Sequence, residues 1–192
     1  MIDLPAVAAW RHVDGRQGFE VLFPRREGDG YRFEGYATAL EAGEAWGIRY
    51  DLVVDSDWAT RSARIAGRSS SGAHEVLLAA DGAGGWTVDG VPVPELDGCP
   101  DVDLEASAFT NALPVNRLGL EVGARAEAPA AWVRAADLSV ERLEQTYARV
   151  PDERPEGTQY AYEAPELEFT SRLVYDRFGL VLDYPGIAVR VA

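Results

Sequence analysis

From about Trp10 onward, short runs rich in β-branched and aromatic residues alternate with polar positions, and turn residues interrupt them at close intervals. That is the patterning of antiparallel strands. Asp-Gly pairs fall at 14–15, 29–30, 81–82, 89–90 and 97–98, and Ala42-Gly43 and Pro185-Gly186 supply further breaks of the kind that closes hairpins. The segments between them predict strands at residues 8–13, 19–25, 31–40, 44–54, 58–67, 73–80, 85–88 and 91–94. One short helix is expected at 107–113, between the N-cap residue Ser107 and Pro114, a residue that does not continue a helix. Strand patterning then returns at 117–122, 131–134, 159–163, 168–175, 180–184 and 187–191.

Residues 139–150 fit two periods. Val140, Leu143, Tyr147 and Val150 lie at helical spacing, whereas Leu143, Gln145, Tyr147 and Arg149 alternate as in a strand. Periodicity and the helix formers at 141–145 favour a helix. The polar, proline-bearing stretch 149–157 is expected to be an exposed loop.

A chain of 192 residues suits one domain, here 1–192, that buries about 70% of its unfolded surface. Cys99 is the one cysteine, and His12 and His74 are the two histidines, so an internal disulfide and a tetrahedral Cys/His zinc site are excluded. The net charge of −14 opposes binding to nucleic-acid phosphates or to an anionic membrane surface. All 18 basic residues are arginine, and without lysine neither Schiff-base nor P-loop chemistry is possible. No apolar stretch approaches the roughly 20 residues needed to span a bilayer. The expectation is a soluble, cytoplasmic protein with no integral membrane association, no nucleic-acid partner and no cofactor.

Conformationally special and chemically capable residues concentrate between Gly84 and Leu118. Asp101 and Asp103 form an Asp-X-Asp, as do Asp55 and Asp57, but Val102 and Leu104 alternate with the acids as in an ordinary strand, and an oxygen-ligand metal site needs more ligands in one tight loop. Capping of the nearby helix is the expected role, and no metal is expected. Asn111 and Arg117 flank Pro114 and together offer donors and an acceptor for a carboxylate or adjacent hydroxyls. The alternative is that they tie the helix ends to strands. The aromatic set, including Trp10, Trp46, Trp58, Trp86, Trp132, Tyr31, Tyr50, Tyr147, Tyr160, Tyr162 and Tyr184, either fills the core or lines a cleft suited to a sugar ring or a lipid headgroup.

Three ordered motifs carry a resemblance: Gly-Gly-Trp-Thr-Val-Asp-Gly from Gly84, Leu-Asp-Gly-Cys-Pro-Asp-Val-Asp-Leu from Leu96, and Phe-Thr-Asn-Ala-Leu-Pro-Val-Asn-Arg-Leu from Phe109. Tyr50-Asp51 with Asp57-Trp58-Ala59-Thr60-Arg61, Gln145-Thr146-Tyr147 and Gly179 to Gly186 extend it over essentially the whole chain. The sequence resembles the glycolipid-binding family with a spiral β-roll fold. The resemblance implies a mainly β protein, a long antiparallel sheet wrapped around a single short α-helix, a homodimer, and strand rather than helix at 139–150. Where the family carries Thr-Pro and a pair of arginines, this chain has Ser107-Ala108 and Asn116-Arg117, so one arginine of that pair is missing.

The function expected from this reading is non-catalytic binding of a glycolipid or other amphiphilic small molecule. The ligand-binding candidates are Trp10, Tyr50, Trp58, Asp103, Asn111, Arg117, Gln145 and Tyr147. Burying a fourteen-carbon tail is worth on the order of 10 kcal/mol before ordering costs but requires a cavity of roughly 300 Å³ or more. A central helix about 10–12 Å across leaves little room for one, so sugar or headgroup contacts at the mouth should dominate. The alternatives are a carbohydrate-active hydrolase using paired carboxylates and a dimeric scaffold without a ligand.

Overall fold

The computed structural model describes residues 3–153 and 157–192. The first half of the chain is a meander of long antiparallel strands: β1 (Ala8–His12), β2 (Arg16–Glu27), β3 (Gly30–Glu41), β4 (Glu44–Val54), β5 (Thr60–Ser69) and β6 (Gly72–Ala80), followed by the short hairpin β7 (Trp86–Val88) and β8 (Val91–Pro92). Asp89 and Gly90 turn that hairpin with φ of 51° and 78°, the two positive values a tight two-residue turn demands and the reason Asp-Gly is used there. Then come β9 (Asp101–Leu104), a 3-10 turn (Phe109–Asn111), α1 (Ala112–Leu118), β10 (Arg125–Glu127), β11 (Ala130–Val133), β12 (Val140–Leu143), β13 (Thr146–Val150), β14 (Thr158–Ala164), β15 (Phe169–Tyr175), β16 (Val181–Tyr184) and β17 (Ala188–Arg190).

The protein is mainly β, with one short α-helix among the described residues. The large sheet runs β10-β13-β14-β15-β16-β17-β1-β2-β3-β4-β5-β6-β7-β8, antiparallel throughout and not closed, since β10 and β8 are its two edges. The last strand pairs with the first (Trp10 opposite Arg190), which joins the two halves of the chain in the middle of the sheet. A second sheet, β12-β11-β9, contains a parallel pair, β11 with β9. No helix among the described residues is long and apolar enough to cross a membrane.

Side chains alternate across the long strands, and the inward set, including Leu22, Phe33, Leu52, Ile65 and Leu78, is fully buried. Both halves of the large sheet reach the helical segment. From one side Phe33 lies 4.5 Å from the Phe109 ring; from the other, Tyr147 and Tyr175 donate to the side-chain and main-chain oxygens of Asn111 at 2.8 and 3.3 Å. Gly35 makes room for part of this core: it sits opposite Tyr50, and a Cβ there would lie 2.0 Å from Tyr50 Cζ. The ring therefore lies across bare backbone.

Several expectations are corrected. The helix does not stop at Pro114. A 3-10 turn occupies Phe109–Asn111, and the α-helix begins at Ala112, placing Pro114 in the first turn, where its missing N–H has no intrahelical partner to lose. The strand expected at 117–122 is absent because Arg117 and Leu118 complete the helix; Gly119, with φ of 53°, ends it and donates its N–H to Val115 O. The helix favoured by periodicity at 139–150 is instead two strands, β12 and β13, in different sheets, as the resemblance implied. Of the expected loop 149–157, Arg149 and Val150 belong to β13, residues 151–153 are exposed, and 154–156 lie outside the described residues.

Candidate functional site

A cavity of about 290 Å³ lies beside the start of the helical segment. Asp103 and Glu105, from β9 and its exit, form one wall with Ser107 and Asn111. Trp132 and Leu143 of the small sheet close a second side, and Tyr162, Phe169 and Tyr184 of the large sheet a third. The last three form a ring cluster with centroids 6.0–6.2 Å apart and steep mutual angles, an edge-to-face arrangement that fixes their orientation. Leu167 and Arg134, both well exposed, also line the cavity, so it opens to solvent.

Neighbours position the polar groups of the wall. Asp103 accepts hydrogen bonds from Thr110 Oγ1 on one oxygen and Gln145 Nε2 on the other, both at 2.6 Å. Among the described residues no arginine pairs with it, and burial raises its pKa above the usual carboxylate value, against the opposing pull of those two hydrogen bonds. Asn111 commits its carbonyl oxygen to Tyr147 and leaves its amide nitrogen without a partner among the described residues. The hydroxyls of Tyr162 and Tyr184 likewise have no partner among the described residues, and burial raises both phenol pKa values, so both remain neutral donors. Among the described residues the only sealed side-chain atoms lacking a partner are His12 Nδ1 and Ser171 Oγ, so none of the three free donors is sealed, and all three belong to residues that line the cavity. Three donors and a carboxylate acceptor around aromatic walls suit a ligand bearing several hydroxyls.

The eight expected ligand-binding residues fall into three groups. Asp103 and Asn111 line the cavity. Gln145 and Tyr147 stand behind them, buried, and fix their orientation. The other four lie elsewhere: Trp10 is buried and donates its indole N–H to Val181 O at 2.8 Å; Tyr50 donates to Glu20 at 2.6 Å; Trp58, in a turn with φ of 67°, packs 5.2 Å from Tyr31; and Arg117 pairs with buried Asp101 at 2.7 Å. Burial raises the Asp101 pKa despite that arginine. Asn116, at the position of the missing arginine, donates to Ala112 O at 2.9 Å and Gly179 O at 3.4 Å, bracing the helix against the β15–β16 turn.

Trp132, Tyr162 and Tyr184 were legible as aromatics suited to a cleft, but Phe169, Leu167, Ile187, Arg16 and Glu105 carried no signal. Nor did Glu20. The carboxylate at the start of the helical segment is neither Asp101 nor Asp103, as capping predicted, but Glu20 of β2. It is fully buried, accepts from Tyr50 OH, from Ser107 Oγ and, at 2.7 Å, from Ala108 N–H. Burial raises its pKa, and these hydrogen bonds oppose the rise. Among the described residues no group of three or more His, Cys, Asp or Glu side chains converges to hold a metal.

A family model described as "Putative glycolipid-binding" matches residues 7–190. The crystal structure of a DUF1089 family protein from Pseudomonas aeruginosa is 36% identical, with 95% of this chain and 95% of that chain covered and a TM-score of 0.77. A beta-barrel-like protein of Domain of Unknown Function DUF1849 from Brucella abortus is 11% identical, covering 96% of this chain and 92% of that chain with a TM-score of 0.52; at that identity the likeness concerns the fold alone. No curated protein matches the chain. With its motifs, its mainly antiparallel fold and a match over residues 7–190, the chain belongs to the family described as "Putative glycolipid-binding".

Proposed function

We propose that the protein binds a glycolipid or related amphiphile without turning it over, taking the hydroxyl-bearing headgroup into the cavity between Asp103, Asn111 and the Tyr162–Phe169–Tyr184 cluster. The observation that carries this reading is the set of three unpartnered donors, Asn111 Nδ2 and the Tyr162 and Tyr184 hydroxyls, on the same cavity as the Asp103 carboxylate. A sugar hydroxyl both donates and accepts, so it satisfies both kinds of group. The aromatic rings supply faces and edges for the apolar side of a pyranose. In this reading Gln145 and Tyr147 act through Asp103 and Asn111, whereas Trp10, Tyr50, Trp58 and Arg117 hold the scaffold. The reading also carries the remaining expectations: from length and composition a single domain over residues 1–192 and a cytoplasmic location, and from the family resemblance a sheet that curls as a spiral roll around the helix and a homodimer. The outward faces of β2 and β3, where Phe19, Phe23 and Tyr36 are about half exposed, are the surface assigned to the second copy.

Native mass spectrometry of the purified protein with a lipid extract and a panel of alkyl glycosides, alongside thermal shift, tests the proposal. A retained glycolipid or alkyl glycoside with a raised melting temperature is the expected result; no retained mass and no shift across the panel would overturn it. Release of free sugar from aryl glycosides, abolished by Asp103→Asn, would replace binding with hydrolysis.

A further inference from the structure

We infer that the site takes one uncharged sugar ring and leaves the tail outside, on an apolar lip formed by Leu167, Phe169 and Ile187; this rests on the headgroup reading above. Volume is the first argument. About 290 Å³ is at the small end of small-molecule sites and corresponds to roughly ten water-sized groups. A monosaccharide of about a dozen non-hydrogen atoms fills that space, and a long acyl chain does not fit beside it.

The second argument is the order of chemistry from inside to outside. The free donors belong to buried residues, Asn111 at 4% exposed, Tyr162 at 3% and Tyr184 at 7%, and Asp103 beside them is partly buried. One side of the mouth is apolar, Leu167 at 44% exposed with Phe169 and Ile187 partly buried, while Arg134, paired with Glu105 and Glu141, is also exposed on the cavity. A ligand entering headgroup first therefore leaves its tail on the three apolar side chains.

The third argument is charge. Arg16 already pairs with Glu41 at 3.0 Å and donates to Glu105 O at 2.8 Å. Arg134 lies 3.5 Å from Glu105 and 3.4 Å from Glu141. With both arginines engaged, no cation lining the cavity is free to receive a phosphate or sulfate headgroup, and burying such a charge unpaired is costly. An ammonium headgroup would suit Asp103 but would leave three donors dehydrated and unpaired.

The test is titration of the full chain with methyl, octyl and dodecyl glycosides of glucose, galactose and mannose, with dodecyl maltoside, dodecyl phosphate and dodecyl trimethylammonium as competing chemistries. The expected result is binding of at least one monosaccharide series, with affinity rising about twofold per methylene instead of the roughly fourfold of full burial. The maltoside, phosphate and trimethylammonium compounds should bind at least tenfold more weakly. Leu167→Ser should flatten the chain-length dependence, and Tyr184→Phe should weaken every member of the series; matched denaturation midpoints establish that both variants are folded. Equal binding of the phosphate or ammonium compound, or an unchanged chain-length slope in Leu167→Ser, would overturn this inference while leaving headgroup binding standing. Failure of every compound would overturn both.

Discussion

His12 and Gly35 show how far single residues in this molecule depend on their surroundings. His12 is buried beside Arg16, and burial, aided by that arginine, lowers its pKa from 6.5 to about 4. Its Nδ1 has no partner among the described residues. The unfolded chain therefore takes up a proton from about pH 6.5 downward while the folded chain resists until about pH 4, so the contribution of neutral His12 to stability is present above that window and lost as pH falls through it. His12→Phe should remove this component, on the order of 1–2 kcal/mol after screening by water. Denaturant midpoints of wild type and variant at pH 7 and pH 4 check it; a constant difference between the two would contradict the account. Gly35 is a steric case. Gly35→Ala drives a methyl into the Tyr50 ring, displacing a hydroxyl that holds Glu20, and should cost about 2 kcal/mol or more in urea unfolding.

At the scale of elements, the helical segment shows what was legible and what was not. The alternation and turn residues placed the meander to within a few residues, β5 starting at Thr60 and not at Trp58 and one turn falling at Gly28-Asp29 with Gly30 already in β3, because strand faces and hairpin turns are local matters of period and φ. Pro114 misled because a proline ends a helix from one position and begins it from another, and only the packing of Ala112, Leu113 and Val115 decides which. Residues 139–150 misled because two short strands in different sheets, joined at Glu144 and Gln145, imitate a helical period. Glu20 was hidden because Phe19 and Glu20 alternate whichever way the strand faces; here the phenylalanine is outside and the glutamate inside, fixed by Tyr50, Ser107 and Ala108 from far along the chain. The other end of the segment is held by Arg117 and Asp101. Arg117→Ala leaves a buried carboxylate unpaired and should cost about 3–5 kcal/mol, whereas replacing both residues with leucine should recover much of that. Equal losses in the single and double variants would show that the pair is not the brace described here.

At the scale of the whole molecule, the cavity is assembled by chain closure. β17 pairs with β1, bringing Tyr184 and Ile187 near Arg16, while the parallel pair of β9 with β11 sets Asp103 level with Trp132. No stretch of sequence contains this neighbourhood, which is why Asp103 and Asn111 could be singled out as chemistry and yet Phe169, Leu167 and Ile187 could not be placed beside them. Tyr147 and Gln145 were legible as members of a motif, but their work lies one step back from the cavity, orienting Asn111 and Asp103. The most direct test of the central claim is the affinity of wild type and of the double variant Tyr162→Phe/Tyr184→Phe for whichever alkyl glycoside binds best, with melting temperatures measured alongside. Neither hydroxyl has a partner among the described residues, so the melting temperature should hold within a degree or two while affinity falls roughly 5- to 150-fold, about 0.5–1.5 kcal/mol for each of two lost hydrogen bonds. Unchanged affinity in the double variant would contradict the assignment of this cavity as the headgroup site.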